Sequence, residues 1–382
     1  MDDRKKWLLK TIIEDYIETA EPVGSKYLTT KHKLDISPAT VRNYMAELEE
    51  MGYLEKPHTS SGRVPSDKGY RVYVDELIVL KPIPIARAEQ IRKLMSDAMV
   101  EARDLIEQAA TVLADQSNYV SVVLTPRYSS SFLQQIKILQ IEPGRALVIV
   151  VLSEGIIRDR IVRIPNLIKE AQLMELAQSI EHSLQGKKID DITLVTITNA
   201  AEDSTIPEPL LNQVLYEAYV SIKQAGHLDM YLQGQHQLLH QPEFYDIDKA
   251  KRFLSTLNKE NIVAAYLDDW QSRELPDLKE GTKAISNIRA SKDIDNAGKP
   301  AFMVRIGQEI ALEGMEDCSF ITTTYRIGGG LSGQIALIGP RRMPYCRSIA
   351  QISFVNQALT DEIRDRFYGN AEDTAADDSS NK

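Results

Sequence analysis

The chain has 382 residues, of which 43% are hydrophobic and 26% are charged, and its formal net charge is -10 at pH 7. This length and composition are typical of a soluble protein with two or three cores, and the acidic balance argues against a protein that coats nucleic acid regardless of sequence. No apolar run approaches the roughly 18 to 20 residues that span a bilayer, and the amino terminus becomes acidic and amphipathic where a signal peptide stays apolar, so we expect a cytoplasmic protein without a membrane partner.

Three helices are predicted at the start of the chain. Apolar side chains recur at helical spacing over residues 4–20, and the EPVGS segment that follows ends this first helix. Ser25 can cap a short second helix. Ser37 can cap a third, because Pro38 then occupies the first helical position, where its missing N–H costs nothing. Gly52 ends the third helix.

The outer face of the third helix is unusual for so acidic a chain. At about 100° per residue the inner face is formed by Val41, Tyr44, Met45 and Leu48. The outer face carries small residues, an arginine and an asparagine in its amino-terminal half, and the glutamates lie at the far end. Arginine can make bidentate contacts to guanine and asparagine to adenine, and recognition helices enter the major groove by their amino-terminal residues. An ordinary amphipathic helix with a mixed, solvated face is the alternative. The pattern favours contacts at or near the bases by Ala39, Thr40, Arg42 and Asn43.

A basic hairpin is predicted after the third helix. YLEKP and GRVPS can form two short strands around HTSSG, with Gly62 free to adopt a positive φ. Three helices followed by such a hairpin form a winged helix, whose wing contacts phosphates or the minor groove. The residues predicted to make these contacts are Lys56, Arg63, Lys68 and Arg71. For the last two, the alternative is that they only cover and hold the helix after the wing.

The rest of the chain changes its periodicity twice. After a proline-containing linker at 80–86, residues 87–115 have the pattern of one long helix, and β-branched runs over 119–165 indicate an antiparallel sheet. Residues 167–257 are largely helical, and strand-like runs return near the end, which is the expected trace of an inserted domain. The predicted divisions are 1–79 for the winged helix, 80–165 for the linker, long helix and first part of the body, 166–260 for the insertion, 261–369 for the second part of the body, and 370–382 for a disordered acidic tail.

Specific motifs resemble one family. The run TSSGRVPSDKGYRVYVD (residues 59–75) closely resembles the segment after the recognition helix of the heat-inducible transcription repressors, the HrcA family. LLHQPEFYDIDK (238–249) and GQIALIGPRRMPY (333–345) are similar to further family segments, although less tightly. The resemblance therefore extends over both halves of the chain.

The resemblance implies a fold and a function. The fold is α+β and multidomain: an amino-terminal winged helix-turn-helix, and a GAF-like α/β domain interrupted by an inserted, mainly helical dimerisation domain. The implied function is sequence-specific repression of heat-shock chaperone operons by a homodimer that binds an inverted-repeat (CIRCE-type) operator. A GroEL-type chaperonin would keep the repressor active. No enzymatic activity and no cofactor are expected.

Other motifs allow rival interpretations. GGGLSG satisfies the dinucleotide-binding pattern GxGxxG at Gly328, Gly330 and Gly333, but another strand-like run follows where a helix would be needed, so a hairpin turn is favoured. His236 and His240 have a spacing found in zinc sites but no third ligand nearby, and we expect no metal. A winged-helix regulator gated by a small-molecule effector in the GAF-like domain remains the alternative function.

Overall fold

The computed structural model describes residues 1–57, 62–96, 102–126, 128, 131–153, 156–272, 302–328 and 331–368. The α-helices are α1 (Asp3–Thr19), α2 (Ser25–Lys31), α3 (Pro38–Glu50), α4 (Asp67–Val72), α5 (Ile85–Ser96), α6 (Ala102–Ser117), α7 (Glu170–Leu184), α8 (Leu194–Asn199), α9 (Glu208–Ala225), α10 (Ile247–Leu257), α11 (Glu260–Ser272) and α12 (Tyr345–Ile363). The strands are β1 (Leu54–Glu55), β2 (Val64–Pro65), β3 (Val120–Leu124), β4 (Leu133–Glu142), β5 (Arg145–Leu152), β6 (Ile157–Arg163), β7 (Met230–Gln233), β8 (Met303–Ile306), β9 (Cys318–Gly328) and β10 (Leu331–Pro340). The predicted acidic tail, 370–382, lies outside the described residues.

The chain divides into two compact units. Unit 1 contains residues 1–124, 230–327 and 333–382, and unit 2 contains 125–229 and 328–332. Within unit 1 we call residues 1–79 the head, and the remainder the sheet domain. None of the described helices is both long and apolar enough to cross a membrane.

The head begins with the three expected helices, which are followed by a short antiparallel ladder and by α4. Leu54 pairs with Pro65 and Glu55 with Val64. Gly62 is required at the base of this hairpin for a different reason from the one expected. Its φ is not positive, but a Cβ at Gly62 would lie 2.4 Å from the carbonyl oxygen of Val23. The close approach arises because Val23 and Arg63 form an antiparallel bridge, which joins the hairpin to the segment between α1 and α2.

The sheet domain is built on a five-stranded sheet in the order β7-β3-β10-β9-β8. Strand β3 is antiparallel to both of its neighbours, β7 and β10. Helices α5, α6 and α12 pack together, and their apolar side chains share a core with Val123, Ile335 and Leu337 of the sheet. The single long helix expected over 87–115 is instead two helices, α5 and α6, which contact each other.

One hydrophobic core joins the head to the sheet domain within unit 1. The cluster that contains Leu8 and Ile12 of the head continues through Tyr70 to Ile306 and Tyr345 of the sheet domain. The predicted linker is part of it, since Leu80 and Ile83 are partly buried against this core. The head is therefore packed on the sheet domain.

Unit 2 is an insertion, but its limits and composition differ from those expected. The structure divides the chain at 125 and 229, where the sequence pattern placed the boundaries at 166 and 260. Strands β4, β5 and β6 form a separate three-stranded antiparallel sheet, and Leu173 and Ile180 of α7 pack with Leu215 of α9 in the same core. The unit therefore combines an antiparallel sheet with helices, which is an α+β arrangement. The difference has a physical cause: alternation shows that a run is a strand, but it does not show which strands pair.

Candidate nucleic-acid interface

Local capping defines the start of α3. The Ser37 side chain accepts a hydrogen bond from the backbone N–H of Thr40 at 3.1 Å, and Pro38 lies in the first turn. Val41, Met45 and Leu48 are buried, so the opposite face of the helix is turned outward. Of the predicted base-contacting residues, the structure places Ala39, Arg42 and Asn43 on the exposed surface, and Thr40 is half-buried. The Thr40 hydroxyl lies 2.9 Å from the Ser37 hydroxyl and therefore belongs to the cap.

Arg42 and Asn43 offer free polar groups. Among the described residues, neither side chain makes a hydrogen bond or an ion pair within the protein. Two carboxylates in the carboxyl-terminal half of α3 are neutralised by neighbours. Glu47 is 2.6 Å from Lys5 Nζ, and Glu49 is 2.6 Å from Arg63 Nε. The amino-terminal half of α3 can thus present free hydrogen-bond donors to an anionic surface. Glu47 and Glu49, in the other half of the helix, are paired with Lys5 and Arg63.

The predicted wing residues lie in different environments. Lys56 is exposed just after β1. Arg63 is largely buried, with 17% of its side chain exposed, and its guanidinium is held by Glu49. Residues 58–61, between the two short strands, lie outside the described part of the chain. A phosphate contact by Lys56 or Arg63 stays a prediction, and for Arg63 it would require the ion pair with Glu49 to break or to be shared.

Lys68 and Arg71 are both engaged with the protein itself. Lys68 Nζ donates to the carbonyl oxygen of Met51 at 2.8 Å and lies 4.7 Å from the centroid of the Tyr53 ring. Arg71 donates to Glu309 at 2.9 Å and to the carbonyl oxygen of Val304 at 2.8 Å. Burial acts to lower the pKa of Arg71, but its hydrogen bonds to Glu309 raise the pKa above the ordinary value. Their roles at phosphates stay predictions, and the geometry is that of the alternative, in which they hold the helix after the wing.

The partners of α4 were not predicted from the sequence. Asp67 and Arg71 pair with Arg341 and Glu309, which lie more than 230 residues further along the chain. A single sequence contains no signal for such a pairing, because nothing local relates charges so far apart. The only indication was the alternation of charge in the DKGYR run.

The rival motifs lie in other structural settings than the sites that they resemble. Residues after GGG enter β10, and Gly333 lies within that strand, next to β9 in the sheet. The helix that a dinucleotide site needs at the third glycine is therefore replaced by a strand, although Gly329 and Gly330 themselves lie outside the described residues. His236 and His240 lie on a 3-10 helix. Within the described ranges, no group of three His, Cys, Asp or Glu side chains is arranged to hold a metal ion.

Comparison with known proteins assigns the chain to a family. The model described as "HrcA protein C terminal domain" matches residues 103–349. The heat-inducible transcription repressor HrcA of Ruminiclostridium cellulolyticum is 35% identical over 364 residues, covering 95% of this chain and 97% of that protein. The same repressor of Symbiobacterium thermophilum is 33% identical, covering 95% of this chain and 99% of that protein. A crystal structure of a hypothetical protein matches with a TM-score of 0.58 at 17% identity over 96% of this chain and 99% of that one, a likeness of fold alone. The chain belongs to the HrcA family.

Proposed function

We propose that this protein is a DNA-binding transcriptional repressor of heat-shock chaperone operons, and that α3 is its recognition helix. The observation that carries the proposal is that Arg42 and Asn43, at the amino-terminal end of a capped helix, are exposed and make no hydrogen bond or ion pair with the other described residues. That end also carries the positive pole of the helix dipole, which favours the approach of phosphates. The names of the relatives support the same function.

The head has the elements of a winged helix. Three helices precede a two-stranded ladder, and the bridge between Val23 and Arg63 ties that ladder to the start of α2. In this arrangement the third helix enters the major groove and the wing lies over the backbone. We assign the sheet domain as GAF-like and unit 2 as the inserted domain, because the chain leaves the five-stranded sheet at β3 and returns to it at the neighbouring strand β7.

The proposed homodimer would use an exposed face of unit 2. The outer face of its three-stranded sheet carries two apolar rows, one of Leu139, Leu147 and Ile161 and one of Val151 and Ile157. Lys137, Ile149 and Asp159 lie in the row between them. Ile157 is 65% exposed and Ile161 is 54% exposed. A sheet face of this composition is normally covered. We propose that a second copy covers it about a two-fold axis, which pairs two heads with the two halves of an inverted repeat.

The operator and the chaperone belong to the same proposal. By the family resemblance, the operator is a CIRCE-type inverted repeat and a GroEL-type chaperonin maintains the active state. The test measures binding of the purified protein to a duplex with this repeat and to a scrambled duplex at one salt concentration, with and without chaperonin. We expect a specificity ratio of about 10³ or more, as is typical of sequence-specific proteins. Equal affinity for the two duplexes in both conditions would contradict the proposal.

A further inference from the structure

The carboxylate of Asp67, at the start of α4, holds the head to two parts of the sheet domain. Its Oδ1 accepts a hydrogen bond from Arg341 Nη1 at 2.7 Å, and its Oδ2 accepts from the backbone N–H of Gln308 at 3.0 Å. Arg341 also reaches Asp317 at 3.0 Å, so it lies between two carboxylates. Gly307 has a positive φ, and a Cβ there would lie 2.1 Å from Asp67 Oδ2. The turn after β8 is therefore shaped to receive this carboxylate.

Arg71, one helical turn after Asp67 in α4, hydrogen-bonds the same part of the sheet domain. Its guanidinium donates to Glu309, in the turn after β8, and to the carbonyl oxygen of Val304, within β8. Asp75 holds it from the head side at 3.2 Å. Charge-assisted hydrogen bonds of this kind are shorter and stronger than neutral ones. Two oppositely charged residues of α4 thus hold residues 304–309 from the same side.

Beneath these pairs the contact is apolar and closely packed. The ring of Tyr345, at the start of α12, lies 6.0 Å from that of Tyr70 and 6.4 Å from that of Tyr73. Tyr70 and Tyr345 are almost completely buried. Such a core transmits orientation, because interiors packed to this density do not deform continuously.

We infer that Asp67 and Arg341, with Arg71 and Glu309, are positioning residues that fix the orientation of the head on the sheet domain and so set the half-site spacing that the dimer accepts. The inference rests on the proposed function. A dimer reads half-sites about one DNA turn apart only if its two heads are held at that separation. Heads on loose tethers would tolerate other separations, since a flexible connection spreads the accessible distances.

The test uses the full-length protein and three DNA probes. These are a single half-site duplex, the inverted repeat with its natural spacing, and the same repeat with about 5 base pairs inserted, which places the half-sites on opposite faces of the DNA. The variants are Asp67→Asn, Arg341→Gln and Glu309→Gln. The control is Arg364→Gln, which removes the guanidinium of an exposed pair with Asp361.

We expect each variant to bind the half-site within about twofold of the wild type and to lose at least tenfold of the preference for natural over shifted spacing. The control keeps this preference. Unchanged spacing preference in Asp67→Asn and Arg341→Gln, with both folded by circular dichroism, would overturn the inference. A half-site affinity that rises in Glu309→Gln with a steeper salt dependence would also overturn it, because it would show Arg71 released to bind phosphate. If one variant does not fold, the other two carry the test. Wild-type protein that does not distinguish the half-site from scrambled DNA instead refutes the proposed function.

Discussion

Substitution of Arg42 distinguishes base recognition from nonspecific electrostatic attraction to DNA. Arg42 is exposed, and its guanidinium makes no hydrogen bond or ion pair within the described part of the protein. We predict that Arg42→Ala costs roughly 1 to 3 kcal/mol of binding to the operator and relaxes the preference at one base pair. Binding assays on the operator and on single-base variants of it measure this.

Arg42→Lys is the matched control, because it keeps the charge but lacks the planar fork that makes bidentate contacts. We expect it to restore affinity for random DNA without restoring the base preference. Equal losses for Arg42→Ala on operator and random DNA would remove Arg42 from the set of base-reading residues.

The ion pairs of Asp317 should make the free energy of unfolding depend on pH. Partial burial acts to raise the pKa of this carboxyl, but Lys249 Nζ at 2.6 Å and the Arg341 guanidinium outweigh burial and hold the pKa below its usual value of 3.8. A carboxyl with a lowered folded pKa stabilises the protein above its unfolded pKa, and this contribution is lost as the pH falls through the folded pKa.

We therefore predict that Asp317→Asn lowers the free energy of unfolding by about 1 kcal/mol at pH 7, because the site is only partly shielded from water. The difference from the wild type should shrink as the pH falls below about 4. Urea unfolding at pH 7, 5 and 3 measures it, with Asp361→Asn as a surface control. A difference that is the same at pH 3 as at pH 7 would show that the anion is not what stabilises the site.

At the scale of single elements, α3 depends on its cap. The Ser37 hydroxyl satisfies one of the free N–H groups of the first turn. We predict that Ser37→Ala lowers the free energy of unfolding by about 0.5–2 kcal/mol and weakens operator binding, because the frayed turn carries Ala39 and immediately precedes Arg42.

Thermal unfolding and operator titration check the role of this cap. Ser37→Asn, which restores a good N-cap, should recover most of the stability. If the alanine and asparagine variants are equally destabilised, the cap is not the cause.

The elements differ in how far the sequence could predict them. Helix α3 was predicted from local signals alone, since Ser37, Pro38 and the spacing of Val41, Met45 and Leu48 lie within a dozen residues. Strands β4 to β6 were predicted as strands, but their membership of a separate sheet was not, because strand pairing depends on contacts between distant residues. The same limit applies to Arg71, whose charge alone is compatible with both a phosphate and Glu309. Local sequence patterns thus predict elements and their exposed faces. Which charged side chains are left without a partner in the protein depends on the tertiary fold.

At the scale of the whole molecule, the outer face of the β4-β5-β6 sheet predicts the assembly. Ile157→Glu and Ile161→Glu place charges on two of its most exposed apolar positions. We predict that the double variant is a monomer where the wild type is a dimer, because the interface would have to bury two carboxylates without partners. Sedimentation over a range of concentrations measures this, together with binding to the inverted repeat and to a half-site.

Val195→Glu is the control, since Val195 is 67% exposed on α8 rather than on this sheet. The monomer should keep its affinity for the half-site and lose the additional affinity for the full repeat. A double variant that remains dimeric would place the dimer interface on another surface.

The neighbouring positions of β3 and β7 have a consequence for protein engineering. Leu124 and Met230, where the chain departs for unit 2 and returns, are paired across two antiparallel strands. Adjacent strands lie about 4.8 Å apart, so a two-residue turn such as Asn-Gly can join these ends directly. At this junction of the five-stranded sheet, residues 125–229 of unit 2 can be removed, transplanted or exchanged for another module without altering the register of the strands that remain.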